Sequence, residues 1–141
     1  MTDTLRLHAS AVAVDGRGVL IRGASGSGKS SLALQLMGLG ASLISDDQTD
    51  LTHETGGILL SAPTTIRDQI EARGVGILNA KSVTAPLHLV VDLDVLETQR
   101  LPVPHQAVIL NQAFPCIHKV DTPAWPFAVL QYVKGGRSDT E

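Results

Sequence analysis

Gly18-Val19-Leu20-Ile21-Arg22-Gly23-Ala24-Ser25-Gly26-Ser27-Gly28-Lys29-Ser30 is the stretch on which the reading of this chain turns. It begins as an aliphatic run of β-strand character and breaks into a glycine-rich loop at Gly23. A helix is predicted from Lys29 to Met37, with Leu32, Leu36 and Met37 able to share a face and Ala33 and Leu34 flanking it. Gly23 to Ser30 matches the P-loop pattern G-x-x-x-x-G-K-[ST]. Glycines let such a loop curl so that successive N–H groups point inward at phosphate oxygens. The following helix adds its N-terminal dipole and unpaired N–H groups. Lys29 brings a point charge to the β- and γ-phosphates, and the Ser30 hydroxyl can ligate Mg²⁺.

Outward from this stretch, the pattern is strand, loop, helix, strand, which indicates an α/β domain. Leu5 and Leu7 alternate with polar residues and Val12 and Val14 with alanines, predicting two short strands before an Asp15-Gly16 turn. Gly38 and Gly40 end the helix, and Leu43-Ile44 makes a short strand running into Ser45-Asp46-Asp47. Thr55-Gly56-Gly57 reads as a turn, Thr64–Glu71 as a short helix capped by Thr64 or Thr65, and Leu87–Leu93 as a strand. Five of the seven prolines fall between positions 102 and 126, predicting loops and edge strands. Phe127–Val133 fits strand or helix equally well. Residues 1–141 are expected to form one P-loop domain, with 134–141 as a flexible tail.

Composition narrows the function. The chain has 141 residues, 14 acidic and 11 basic side chains and a formal net charge of -3. Hydrophobic residues make up 43%, which excludes wholesale disorder. The basic residues form no block that would neutralise a run of phosphates, so no nucleic-acid partner is expected. No apolar run approaches the roughly 20 residues that span a bilayer, and Met1–His8 lacks the apolar region of a signal peptide. A lone cysteine, Cys116, fits a reducing compartment, so a cytoplasmic location is expected. All four aromatic residues (Phe114, Trp125, Phe127, Tyr132) lie in the last 28 positions. Trp125, between Pro123 and Pro126, is either an exposed partner anchor or ordinary core over the sheet.

A P-loop binds phosphate without choosing a reaction. A GTPase would carry an N-K-x-D base-reading motif, which is absent, and the seven arginines form no cluster of the kind that builds a nucleoside-kinase lid. Phosphoryl transfer to a hydroxyl needs a carboxylate near the γ-phosphate. Asp46-Asp47 fits, the two carboxylates dividing the work between proton acceptor and metal-water ligation. Asp92, at the end of Leu89-Val90-Val91, is the rival strand-end aspartate.

Taken with the P-loop and the double aspartate, Ile70-Glu71-Ala72-Arg73-Gly74-Val75-Gly76-Ile77-Leu78 is similar to the E-x-R-G-x-G-I signature of the HPr kinase/phosphorylases. His8 resembles that family's active-site histidine. The resemblance covers residues 5 to 80 well. It implies a mixed-sheet fold related to phosphoenolpyruvate carboxykinase, and a bacterial ATP-dependent kinase acting on a serine of HPr, the phosphocarrier of the sugar phosphotransferase system. On this resemblance Asp46 is the base, and its protonated form the donor in reverse. His8 lies near Asp46 and tunes its protonation. Gly23, Ala24, Ser25, Gly26, Ser27, Gly28, Lys29, Ser30 and Ser31 hold ATP, while Ser30 and Glu71 ligate Mg²⁺, with Asp47 on the metal side. The family forms ring-like hexamers.

Four departures from the family pattern are expected: a truncated form without the additional N-terminal domain, C-terminal helices missing or very short, Ser31 where the family commonly has Glu, and no match to the late P-x-K-x-G-R segment, Val120–Trp125 lacking its arginine. A kinase without phosphorylase activity is therefore expected. The alternatives from other classes are an ATP-binding regulatory module without transfer and a small-molecule kinase of carboxykinase-like fold.

Overall fold

At the centre of the computed structural model, which describes residues 3–138, two parallel strands lie side by side: β3 (Arg17–Arg22) and β9 (Ala85–Leu96). β1 (Thr4–Leu7) and β2 (Ala9–Val14) precede β3, and β2 turns back onto it through Asp15-Gly16, where φ is 51° and 76°. Two consecutive positive φ values are what a two-residue hairpin turn requires, and Asp-Gly supplies them at low cost. The chain continues through α1 (Lys29–Gly38), β4 (Ser42–Ser45), β5 (Thr49–Glu54) and β6 (Gly57–Ser61). After β7 (Gln69–Ala72), β8 (Gly76–Asn79) and β9 come β10 (His105–Ile109), β11 (Gln112–Lys119) and α2 (Trp125–Gly135). Among the described residues none of the helices is long and apolar enough to cross a membrane.

Nine strands form one mixed sheet in the order β1-β5-β6-β9-β3-β2-β4, with β11 and then β10 added on β9, and β7-β8 form a separate hairpin. β6 pairs with the start of β9 and β11 with its later half, so this long strand is the hinge about which the sheet curls. A bulge contributes: the pairing jumps from Gly18↔Leu87 to Val19↔Leu89, leaving His88 as the extra residue. Leu87 therefore packs into one core, whereas Leu89, Val91 and Leu93 pack into the other.

Burial on both faces explains why β2 and β3 read as continuous apolar runs. Val12, Val14, Val19 and Ile21 meet Leu32, Ala33 and Leu36 of α1 and Val129 and Val133 of α2. Ala9, Ala11, Ala13 and Leu20 face the opposite way, onto Ile44, Leu51, Ile58 and Leu60. Gly18 is glycine for lack of room, since a Cβ there would lie 2.7 Å from the Pro86 carbonyl oxygen. α1 ends as its glycines foretell. Gly40 (φ 108°) donates to Met37 and Ala41 to Leu36, a Schellman closure.

Several expectations need correction. Thr64–Glu71 is not a helix: Thr64–Ile66 is a single 3₁₀ turn preceded by Pro63, and Gln69–Ala72 is β7, committed by its pairing with β8. His8 lies in the bend between β1 and β2 rather than in the first strand. β11 carries Pro115 but is not an edge strand along its whole length, because β9 takes up its far side from Cys116 onward. Lys134 and Gly135 belong to α2 instead of a tail, and 139–141 lie outside the described residues. Trp125 packs half-buried against the helix-side core, and Phe127 is exposed.

Candidate active site

The Gly23–Gly28 loop joins the end of β3 to α1 and opens on a cavity of about 290 Å³. Gly26 and Gly28 have φ of 82° and 103°, and a Cβ on either would meet nothing within 4 Å. It is backbone conformation, not crowding, that demands glycine here. Gly28 caps α1, and the first helical bond runs from Leu32 N–H to Gly28, leaving the amides of Lys29, Ser30 and Ser31 without helical partners. Ser25, Lys29, Ser30 and Ser31 also border this cavity. The Lys29 ammonium donates to the Gly23 and Ala24 carbonyls at 2.8 and 3.0 Å, which steadies it over the loop. Ser27 turns its amide back to Ala24, and its hydroxyl is buried. Asp94, unmarked in the sequence, accepts the Ala24 amide at 2.9 Å and fixes the entry of the loop.

The double aspartate reaches the same place by a route the sequence does not reveal. β4 is parallel to β3 but not beside it, since antiparallel β2 lies between them. The C-terminal ends of β3 and β4 and the N-terminal end of β2 thus converge at one edge, where ligands of open α/β sheets bind. Asp46 is 7% exposed. Its carboxylate accepts from Ser30 Oγ at 2.6 Å, Ser10 Oγ at 2.9 Å and the Glu71 amide at 2.9 Å. Asp47 is exposed, and its backbone has φ 71°. It sits at the apex of a three-residue turn closed by Gln48 N–H on the Asp46 carbonyl at 2.8 Å. A non-glycine residue held in this conformation is a common mark of a functional position. Its carboxylate lies 2.9 Å from His8 Nε2.

The cavity is lined further by Glu71 and Arg73 from the β7–β8 hairpin, which packs against α1. All the residues singled out beforehand as catalytic or metal-binding therefore meet here, while Asp92 does not. Asp92 pairs with Arg22 at 3.3 Å on the neighbouring strand and accepts the Asp94 amide. The two aspartates sit in different surroundings. Asp46 is held by three donors and borders a neighbouring cavity with Ser30 and Glu71, whereas exposed Asp47 borders the cavity at the loop; His8 reaches Asp47 rather than Asp46. Ser10 and Asp94 went unrecognised, and the only trace Ser10 leaves in the sequence is its two-residue spacing from His8. Ser30, Asp46, Asp47 and Glu71 make an all-oxygen donor set of the kind Mg²⁺ takes.

Residues 1–98 match the family model for the HPr Serine kinase C-terminal domain. An HPr kinase/phosphorylase from Geobacillus sp. (strain WCH70) is 36% identical over 109 residues, 71% of this chain and 35% of that protein. One from Clostridium botulinum (strain Eklund 17B / Type B) is 43% identical over 74 residues, 52% of this chain and 24% of that protein. The chain thus matches about a third or less of the length of these curated relatives. The solved Hpr(Ser) kinase/phosphatase from Coxiella burnetii superposes with a TM-score of 0.77 at 26% identity, over 92% of this chain and 88% of that one. With more than half of its residues under the family model, this chain belongs to the HPr serine kinase C-terminal domain family.

Proposed function

We propose that this chain is an ATP- and Mg²⁺-dependent kinase that phosphorylates a serine of HPr or a paralogue of it. The observation that carries the reading is the convergence of Lys29, Ser30, Asp47, His8 and Glu71 on one cavity at the mouth of a glycine loop, with Asp46 bonded to Ser30 just behind it. The loop amides of Ser25 to Ser31 cradle the phosphates, with Gly23 and Ala24 holding Lys29 in place. Lys29 neutralises charge on the β/γ oxygens as it develops. Ser30, Asp46 and Glu71 would hold Mg²⁺, which would offset charge on the transferring phosphoryl group. Asp47 accepts the proton of the attacking serine, and His8 orients its carboxylate. Bound Mg·ATP supplies the phosphoryl group, which the serine oxygen takes as its bond to the β-phosphate oxygen breaks.

The relatives named above support HPr as the acceptor. The proposal extends to one carboxykinase-like P-loop domain acting in the cytoplasm as a ring-like homo-oligomer, a state that light scattering reads directly. Transfer from labelled ATP to HPr, with the label located on serine and lost in Lys29→Ala, tests the activity.

A further inference from the structure

On the far side of β9 lies a second constellation with no part in phosphoryl transfer. Glu97, just after β9, meets His105 from the start of β10 and His118 from β11. Their donor atoms all lie within 4.8 Å of one another. Glu97 Oε1 is 2.8 Å from His105 Nε2 and 3.9 Å from His118 Nδ1. The other oxygen, Oε2, accepts the Thr98 and Gln99 amides at 3.0 and 3.1 Å. One carboxylate oxygen is therefore pinned by backbone, which aims the other at both rings, the outer-sphere arrangement that metal ligands characteristically have.

The strands set this geometry. His105 is in register with Cys116, which places His118 on the same face of the β10–β11 hairpin, diagonally across. The imidazoles stack at 4.0 Å with 12° between planes. A hydrogen bond to Glu97 satisfies His105 but not His118, whereas a cation satisfies all three donors. Tetrahedral zinc, with ligands at about 2.0–2.2 Å, sets its donors roughly 3.3–3.6 Å apart, so binding draws the three donors together and turns the two rings out of their parallel stack.

We propose that Glu97, His105 and His118 bind a zinc-type divalent ion. Two imidazoles and a carboxylate form a borderline donor set that suits Zn²⁺ better than Mg²⁺. The ion ties the end of β9 to the β10–β11 hairpin and holds the intervening 98–104 segment, in which Leu101 and Val103 are 78% and 73% exposed. That segment rims a largely apolar cavity of about 760 Å³ beneath Trp125 and Tyr132 of α2, with the three ligands at its polar corner. The fourth position of the ion opens on this cavity.

The test is titration of tag-free, chelator-treated protein with zinc sulfate in excess magnesium, read by competition with a chromophoric chelator. One equivalent binds and raises the melting temperature, and His105→Ala, His118→Ala and Glu97→Gln each lose at least about tenfold in affinity. His53→Ala, at the exposed end of β5, binds as the parent does. Cobalt(II) on the unsubstituted protein gives d–d bands of a nitrogen/oxygen set, a readout that survives any variant that fails to fold. No binding near one equivalent, affinity unchanged in the three variants, or a thiolate charge-transfer band from Cys116 overturns the proposal.

Discussion

The carboxylate of Asp47 lies 2.9 Å from Nε2 of His8, at the apex of a turn whose φ of 71° a side-chain-bearing residue rarely adopts. One residue earlier, Asp46 is buried under three hydrogen bonds. Adjacent in sequence, the two carboxylates sit in opposite environments, and the proposed mechanism rests on that difference. Asp47→Asn keeps the shape of the turn and removes the base. It is expected to lower the rate of transfer to HPr by roughly 10²–10⁴-fold with ATP affinity nearly unchanged. Single-turnover kinetics beside equilibrium ATP binding separate the two effects.

Asp46 has a structural burden that Asp47 lacks. Asp46→Ala strands the Ser10 and Ser30 hydroxyls and the Glu71 amide, and is expected to cost about 2–3 kcal/mol of stability. Asp47→Ala, exposed but at a positive φ that alanine tolerates less well than aspartate, is expected to cost less, about 1 kcal/mol. Urea denaturation of the two variants checks the contrast.

The site was legible where its determinants are local. Gly23 to Ser30 fixes its own conformation through glycine φ values and a helix start, so the loop and α1 followed directly from their residues. Asp46 and Asp47 were legible as a pair, but not their contrasting environments. Their burial is decided by Ser10 and Glu71, 36 and 25 residues away, and by β2 lying between β3 and β4. Thr64–Glu71 was misread because β7 owes its strand state to pairing with β8. The α2 segment, ambiguous in period, was settled by packing of Val129 and Val133 on the sheet. His105 and His118 carry no metal-type spacing and meet only through hairpin register.

Gly18 lies deep in β3, where a Cβ would come within 2.8 Å of Leu60 Cδ1 as well as against the Pro86 carbonyl. Gly18→Ala is expected to destabilise by about 1–3 kcal/mol through overpacking. A Gly38→Ala control has open space at its Cβ and is expected to be neutral or stabilising. Thermal melts of both decide this.

Burial, and then Arg17 nearby, push the His88 pKa below its ordinary value of 6.5. The folded state therefore prefers the neutral ring, while the unfolded chain takes up the proton as pH falls through 6.5. This contribution is full above that pH and is lost on going below it toward the folded value. Stability curves for the parent and His88→Gln are expected to diverge in slope below that point and run parallel above it.

Burial raises the thiol pKa of Cys116, which is 4% exposed. Alkylation at neutral pH is expected to be slow in the folded protein and rapid once denaturant is added, as timed by mass spectrometry.

The most direct test of the central claim is phosphoryl transfer from labelled Mg·ATP to purified HPr, with the modified residue located by mass spectrometry. The account predicts label on a serine of HPr with the parent chain, and none above background with Asp47→Asn or Lys29→Ala. Tight ATP binding with no label on any phosphocarrier would contradict it, as would undiminished labelling by the Asp47 variant.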